Sequence, residues 1–305
     1  MQDILKSNTP AFVFDTAALK KRVAQIKEIV GETVSLCYSM KANPFFVPAM
    51  ITCVDKLEVC SPGELTICKK LGVDASRIIY SGVNKEIPDI KEAYEYGVGT
   101  FTAESVRQAD LIQQVVETAA AGEKAEVILR LNSGSQFGMS KEDLLTILQC
   151  RESKYTSLNF TGIHYFVGTQ RKRAKRKIKE LQMLLELFEE IQNKCGLKLK
   201  KLEYGPGFAV PYFEDDDFED TLYPVKELKD TLKQVAQQVD LTIEMGRFFT
   251  AECGTYYTNV ADLKTVGNAH YCILDGGMNH LTYLGQMMGM KTPIIKHHKN
   301  TPKQD

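Results

Sequence analysis

The segment Val34–Pro44, VSLCYSMKANP, decides how the rest of this chain is interpreted. It is an apolar stretch that predicts a β-strand ending at Lys41, followed by a turn at Asn43-Pro44. Strand side chains alternate between two faces, and small residues on the face of Lys41 leave room for a ligand beside the amine. Burial would lower the pKa of such a lysine and make its amine nucleophilic. The alternative is a lysine that only extends from the strand end into solvent.

Length, composition and charge are those of an ordinary globular protein. The 305 residues can form one large α/β barrel or two smaller domains. The formal net charge of -1 gives no general attraction to nucleic acid or to an acidic membrane. We find no apolar run long enough to cross a bilayer and no signal-peptide segment at the N-terminus.

Cysteine and histidine spacing bears on compartment and metal binding. The eight cysteines include no C-x-x-C pair, which favours reduced thiols in a cytoplasmic protein. The five histidines show no H-E-x-x-H spacing, so we predict no metal.

Strand-like and helix-like stretches alternate along the chain. After a strand at Ala11–Asp15 and a helix at Thr16–Val30, eight strands are predicted, and helical periodicity follows each of the first seven. These strands are Val34–Met40, Leu57–Ser61, Ile78–Tyr80, Gly99–Thr102, Glu126–Asn132, Asn159–Val167, Lys201–Tyr204 and Leu241–Met245. The order is typical of a (β/α)8 barrel of the TIM type. A doubly wound sheet is the alternative, but no G-x-G-x-x-G motif follows the first strand.

A different pattern begins after Met245. The segments Thr255–Val266 and His270–Leu274 are rich in β-forming residues with no helix between them. We therefore predict a barrel domain at residues 1–250 and the beginning of a β domain at residues 251–305. Because one or two strands cannot form an independent β domain, we expect it to be incomplete. Either the chain is truncated or this region pairs with something outside it.

Polar residues and glycine turns collect at the predicted carboxyl ends of the strands, which is where barrel enzymes carry out their chemistry. The candidate site residues are Lys41, Glu58, Arg130, His164, Phe166, Gly168, Thr169, Gly205, Gly207, Glu244, Gly246 and Arg247. Glycine turns can hold a phosphate with their backbone N–H groups, although a tight turn without a ligand is the alternative. A lysine able to form a Schiff base, a phosphate seat and a strand-end carboxylate are together what pyridoxal 5'-phosphate requires.

Several motifs occur in an order that is characteristic of one family. They are TPAFVFD, YSMKANP, EVCSPGEL, SGV, LRLN with SQFGMS, GIHYFVGTQ, EYGPGFAVPYF, EMGRFF and LDGGMNH. From about Thr9 to Gly285 the sequence resembles the fold-type III pyridoxal-phosphate decarboxylases, which act on diaminopimelate, ornithine, arginine and related substrates. The resemblance implies an alanine-racemase-like barrel, a homodimer and an amino-acid substrate.

The resemblance also implies roles for the candidate residues. Lys41 would hold the cofactor covalently and Glu244 would bind its pyridine nitrogen. Arg247, Gly207 and the Gly168-Thr169 turn would hold the phosphate.

The resemblance implies roles near the cofactor for three further positions. Glu58 stands where an acid lies near the lysine, and Arg130 stands near the ring's phenolic oxygen. The ring-stacking residue of the family is commonly a histidine two places after His164, and Phe166 occupies that place here. A phenyl ring can stack, but it cannot carry charge or donate a hydrogen bond.

Other features indicate which branch of the family the sequence resembles. The motifs GTQ, GFAVPYF and DGGMNH are similar to the branch that decarboxylates unusual amino acids, including glutamyl groups bound to a carrier protein. Leu281, Thr282 and Tyr283 stand where diaminopimelate decarboxylases usually carry an arginine. The basic segment Arg171–Lys179, RKRAKRKIK, can attract an acidic carrier protein or a phosphopantetheine phosphate. A solvated helix face is the alternative.

Three functions stay open at this point. The first is a pyridoxal-phosphate-dependent amino-acid decarboxylase. The second is a regulatory barrel, or a fragment needing a partner chain, that binds the cofactor without turnover, since no segment matches the family's C-terminal catalytic cysteine or phosphate-contacting tyrosine. The third is a racemase, against which the carboxylate of EMGR argues, because racemases of this fold generally place an arginine at the ring nitrogen.

Overall fold

The central element is a closed barrel of eight parallel strands, β2 to β9. We describe it from a computed structural model, in which residues 8–119, 123–213, 215, 216, 218–281 and 294–296 are described. The strands are β1 (Ala11–Phe14), β2 (Ser35–Ser39), β3 (Lys56–Val59), β4 (Ile78–Tyr80), β5 (Thr100–Ala103), β6 (Ala125–Arg130), β7 (Leu158–Phe166), β8 (Lys201–Gly205), β9 (Asp240–Met245), β10 (Gly254–Tyr257), β11 (Val260–Val266) and β12 (Ala269–Leu274).

Helices follow the barrel strands. In chain order they are α1 (Thr16–Val30), α2 (Val47–Met50), α3 (Pro62–Lys70), α4 (Ile87–Tyr96), α5 (Val106–Thr118), α6 (Lys141–Gln149), α7 (Arg151–Lys154), α8 (Ala174–Cys195), α9 (Tyr223–Lys226), α10 (Lys229–Ala236) and α11 (Arg247–Thr250). The predicted (β/α)8 barrel is therefore confirmed. Most strand bounds differ from the predicted ones by one or two residues. In addition, α11 lies in a stretch where no helix was predicted, and β2 ends at Ser39, so that Lys41 belongs to the 3-10 helix Met40–Ala42.

Strand alternation places polar and apolar side chains together in the barrel interior. Cys37, Ile79 and Ile128 are buried together in one hydrophobic cluster. Along β2, Cys37 is level with Glu244 of β9, and Ser39 is level with Glu58 of β3. Because side chains two residues apart point the same way, these polar groups share the interior face with the apolar cluster.

Serine caps fix where several helices begin. Ser61, Ser105 and Ser140 each accept a hydrogen bond from the backbone N–H three residues later, at the starts of α3, α5 and α6. Such a cap satisfies an N–H group that the helix leaves without a partner. Because serines cap these helices, side chains at the ends of the barrel strands are not needed as caps and can take part in the site.

The contacts divide the chain into two compact units. One holds the barrel, with residues 16–209 and 222–252, and the other holds residues 1–15, 210–221 and 253–305. In the second unit β1 pairs antiparallel with β10, and β11 pairs antiparallel with β12. A β region therefore follows the barrel as expected, while the predicted domain boundary at residue 250 stays a prediction.

Two further observations bear on the sequence predictions. Thr282 and Tyr283 lie outside the described residues, so their expected position near the substrate is not described. In the described part of the chain, no helix combines the length and the hydrophobicity that crossing a bilayer requires.

Candidate active site

Lys41 lies at the barrel mouth between two buried carboxylates. Its Nζ donates a 2.7 Å hydrogen bond to Glu58 and lies 3.5 Å from Oε1 of Glu244. The lysine side chain is 46% exposed, whereas the two acids are 3% and 4% exposed. The amine is thus the accessible member of a group whose negative charges are buried.

The expected lowering of the Lys41 pKa is wrong for the protein as the structure describes it. Burial alone would lower this pKa, but the charges of Glu58 and Glu244 outweigh burial and raise it above its ordinary value. Desolvation of Lys41 can be inferred from the sequence, whereas the approach of two carboxylates from β3 and β9 depends on how the barrel closes. Without a cofactor, Lys41 is therefore a charged ammonium.

The carboxylate of Glu244 is held on both oxygens. Ser39 Oγ donates to Oε1 at 2.6 Å, and His164 Nε2 lies 3.0 Å from Oε2. Burial would raise the pKa of Glu244, but the positive charge of Lys41 and the His164 hydrogen bond hold it well below its ordinary value. Burial and the charge of Glu244 raise the pKa of Glu58. Of the two acids beside Lys41, Glu244 therefore has the lower pKa.

Arg130 is held at the end of β6 by a partner that the sequence analysis did not name. Its guanidinium forms a buried ion pair with Glu104, and it lies 5.1 Å from the centroid of the Phe137 ring. Arg130 is level with His164 on the neighbouring strand β7. The arginine thus faces the barrel interior, and its charge is balanced by Glu104.

The glycine turns bring the ends of the neighbouring strands β7 and β8 close together. Gly207 has a φ of +58°, and a Cβ at this position would lie 1.7 Å from the carbonyl oxygen of Gly168. A Cβ on Gly205 would lie 2.4 Å from the ring of Phe166, whose centroid is 5.9 Å from Lys41 Nζ. Only glycine allows this close approach, so Gly205, Gly207 and Phe166 form one continuous surface that reaches the lysine.

The remaining candidates lie around this surface. A Cβ on Gly246 would lie 2.7 Å from that of Ala42, so the backbone after β9 packs against the turn that carries Lys41. Arg247 is the exposed first residue of α11, and Thr169 is exposed in the loop after β7. Their contribution to a phosphate seat stays a prediction.

Several residues of the site were not singled out from the sequence. Ser39 and Glu104 hold Glu244 and Arg130, the thiol of Cys60 lies 3.6 Å from Lys41 Nζ, and Glu203 is a buried acid of β8. Ser39 shares the strand face of Lys41, and Glu203 interrupts an apolar strand. Those two signals were available in the sequence; the pairing of Glu104 with Arg130 was not.

The basic segment Arg171–Lys179 is only partly a solvated face. Arg171 forms a two-pronged ion pair with Glu180, and Lys177 is buried and donates to the carbonyl of Arg171. Exposed cations are nevertheless spread over the start of α8 and the residues before it; they are Lys172, Arg173, Lys175, Arg176 and Lys179. Since Arg171 N–H donates to the carbonyl of Gly207, this surface begins beside the glycine turns.

Comparison with known proteins places the barrel in a family. Residues 16–251 match the pyridoxal binding domain of the pyridoxal-dependent decarboxylases. The diaminopimelate decarboxylase of Aquifex aeolicus is 27% identical over 292 residues, which cover 90% of this chain and 67% of that protein. The L-glutamyl-(BtrI acyl-carrier protein) decarboxylase of Niallia circulans is 27% identical over 310 residues, covering 94% of this chain and 72% of that protein.

Solved structures agree with these sequence relatives. The crystal structure of a protein from Aquifex aeolicus superposes with a TM-score of 0.81 at 26% identity and covers 92% of this chain and 68% of that one. Lysine decarboxylase from Selenomonas ruminantium superposes with a TM-score of 0.78 at 25% identity, covering 91% and 74% of the two chains.

Proposed function

The chain belongs to the pyridoxal-dependent decarboxylases and is a pyridoxal-phosphate-dependent amino-acid carboxy-lyase, and we propose how its own residues serve that reaction. The observation that carries the proposal is the placement of the Lys41 amine beside Glu244, next to glycine turns where a Cβ would clash. When bound, pyridoxal phosphate supplies a ring that takes up the electrons left when the α-carboxylate departs as carbon dioxide.

The residues present fit this cofactor. It needs an amine for covalent attachment, a carboxylate for its ring nitrogen and a seat for a phosphate. Lys41 is an accessible amine, Glu244 is a buried carboxylate, and the close approach of Gly207 to Gly168 makes a turn without side chains. Backbone N–H groups at such turns favour an anion.

Lys41 must move for the ring to bind. Its amine lies 3.5 Å from Glu244, which leaves no room between the two groups for a ring that contacts both of them. We propose that the Lys41 amine would turn away from Glu244 and serve as the covalent attachment point of the cofactor. Glu244 would hold a proton on the ring nitrogen, and the contacts of Ser39 and His164 with its two oxygens would help to keep it ionised without the nearby Lys41 charge.

Phe166 is proposed to stack on the cofactor ring. It is half-buried, packs against Gly205 and lies near Lys41. Because phenyl carries no titratable group, its stacking does not depend on pH, in contrast to an imidazole. Arg130 and Arg247 are proposed to contact the phenolic oxygen and the phosphate.

For the substrate we propose a small amino acid, presented either free or on an acidic carrier protein. The exposed cations at the start of α8 support the second form, because they begin beside the glycine turns and attract acidic surfaces. The relative from Niallia circulans acts, by its name, on a carrier-bound glutamyl group. We further propose a homodimer, as the family resemblance implies. We also propose that the protein acts in the cytoplasm and binds no nucleic acid, which is supported by eight free thiols and a net charge near zero.

Carbon dioxide release from a panel of free and carrier-bound amino acids tests this function. Turnover together with visible absorbance of bound pyridoxal phosphate is expected, and Lys41→Ala should lose both. Lys91→Ala, which changes a lysine on the outer helix α4, is the control and should keep both. Absorbance without turnover would favour a non-catalytic binding barrel, and interconversion of enantiomers without gas would favour a racemase.

A further inference from the structure

A buried acid in the barrel has no role in the reaction described above. Glu203 of β8 is 2% exposed, and neither of its carboxylate oxygens has a hydrogen-bond partner among the described residues. An ionised carboxylate in such a place is strongly unfavourable. The position therefore favours a neutral acid that holds a proton.

Glu203 lies away from the substrate side of the barrel. It lines a small cavity together with Lys56, Lys201 and Thr242. Lys56 and Lys201 are the first residues of β3 and β8, so this cavity is at the amino end of the barrel, opposite Lys41. Any influence of Glu203 on the reaction must pass through another residue.

His164 is the residue that can carry that influence. It is level with Glu203 on the neighbouring strand, and one ligand atom from each of His164, Glu203 and Glu244 lies within 4.8 Å of the others. Nε2 of His164 faces Glu244, while its Nδ1 is buried and has no hydrogen-bond partner among the described residues. The unused nitrogen and the unused carboxyl group are chemically complementary. They do not hydrogen-bond each other in the structure, so sharing a proton requires a side-chain movement that brings a Glu203 oxygen to Nδ1.

We propose that Glu203 is a positioning residue that shares one proton with His164 and thereby keeps Glu244 ionised at the cofactor's ring nitrogen. With the proton on Glu203, its O–H would donate to Nδ1 and the ring would carry its hydrogen on Nε2. With the proton on Nδ1, the ring is a cation and Glu203 an anion. In both states Nε2–H donates to Glu244, and no proton is gained or lost. The role in catalysis rests on the proposed function, whereas the shared proton does not.

The charges around Glu203 agree with this arrangement. It faces His164 on β7, Glu244 on β9, Glu58 and Lys56 on β3, and the thiol of Cys37 on β2. Burial raises the pKa of Glu203 to about 8, against the opposing effect of His164. Burial would lower the pKa of His164, but the hydrogen bond to Glu244 and the charge of Glu203 raise it.

The shared proton can be tested in the protein without cofactor. Ring-¹⁵N-labelled histidine would be followed by NMR across a pH titration, with the signals of His164 assigned from their loss in His164→Asn. In the wild type these signals should show a step near pH 8, where Glu203 ionises. Glu203→Gln keeps the shape of the side chain but cannot ionise, and should lack the step. An identical step in Glu203→Gln would overturn the proposal.

The loaded protein supplies a second measurement. The visible absorbance of bound pyridoxal phosphate should change with pH near 8 in the wild type, and Glu203→Gln should abolish the change. Glu203→Asp keeps an ionisable group and should retain the step, displaced in pH. Thr161→Val is the matched control, because Thr161 Oγ1 is also buried without a hydrogen-bond partner among the described residues, and it should behave as wild type. A step lost equally in Thr161→Val, or absent from Glu203→Asp, would count against the proposal.

Discussion

Ser39 and Glu244, on neighbouring strands of the barrel, are joined by a buried 2.6 Å hydrogen bond. The hydroxyl donates to the same carboxylate oxygen that lies 3.5 Å from the Lys41 amine. If Lys41 moves away to bind a cofactor, as proposed, Ser39 is the donor that stays on this oxygen. The small residue two places before the lysine is thus part of what keeps Glu244 ionised.

Ser39→Ala should therefore weaken both the fold and cofactor binding. A hydrogen bond to a charged group contributes about 1.5–3 kcal/mol, and we expect a loss of unfolding free energy in this range at neutral pH. Because the pKa of Glu244 is depressed in the folded state, the loss should be full above its ordinary value of 4.5 and should shrink as the pH falls through the folded value. Urea unfolding at several pH values measures it. An equal loss at all pH values would show that cavity formation, not the carboxylate, is responsible.

Glu58→Gln should make Lys41 more reactive. The charge of Glu58 is the largest effect that raises the Lys41 pKa, so neutralising it should increase the fraction of free amine at neutral pH. Uptake of pyridoxal phosphate, followed by absorbance in stopped flow, should rise with pH in the wild type. In the variant the rise should begin at lower pH. Unchanged pH dependence would mean that the amine does not limit uptake.

Gly207→Ala should disrupt the proposed phosphate seat. The residue has a φ of +58°, and an added Cβ would lie 1.7 Å from the carbonyl oxygen of Gly168. Gly196→Ala is the control, because Gly196 has a φ of +63° at the end of α8 but no atom within 4 Å of an added Cβ. The control should lose about 1–2 kcal/mol of unfolding free energy, because alanine disfavours a positive φ, and should keep its cofactor affinity. Gly207→Ala should lose more stability and at least tenfold in affinity, measured by cofactor titration; equal behaviour of the two variants would remove Gly207 from the seat.

Charge reversal on α8 should distinguish a carrier-bound substrate from a free one. The double variant Lys175→Glu, Lys179→Glu is expected to lower kcat/KM for a carrier-bound glutamyl group about tenfold and to leave a free amino acid unaffected. The difference should diminish at high salt. Reversal of Lys20 and Lys21, exposed on α1, serves as the control. Equal kcat/KM for the carrier-bound group in both double variants would leave α8 as a solvated face.

Much of the fold was predictable because it depends on local signals. The apolar alternation of Val34–Met40 and the helical spacing of Leu19, Val23, Ile26 and Val30 are visible in short windows of sequence. Boundaries shifted by one or two residues, as when β2 ended at Ser39 and the lysine entered a 3-10 turn. Where a strand ends and a turn begins depends on contacts made by the residues after the strand. The two-residue alternation of a strand carries no information on those contacts.

The electrostatics of the site were not predictable in the same way. The sign of the Lys41 pKa shift depends on Glu58 and Glu244, which are brought to the lysine from β3 and β9. Likewise, the partner of Arg130 is an acid 26 residues away. A position at a strand end indicates that a residue can face the site. Its charge state, however, depends on residues of other strands that come close only when the barrel closes.

The register between neighbouring barrel strands limits which insertions and deletions this chain can accept. Ser39 meets Glu58, His164 meets Glu203, and Cys37 meets Glu244, each across a boundary between two strands. A single-residue insertion or deletion within one strand would turn its inward groups outward and bring apolar ones to the acids. Insertions and deletions are consequently tolerable in the loops but not in the barrel strands. In a strand, even one inserted or deleted residue would replace the inward-facing polar groups with apolar side chains.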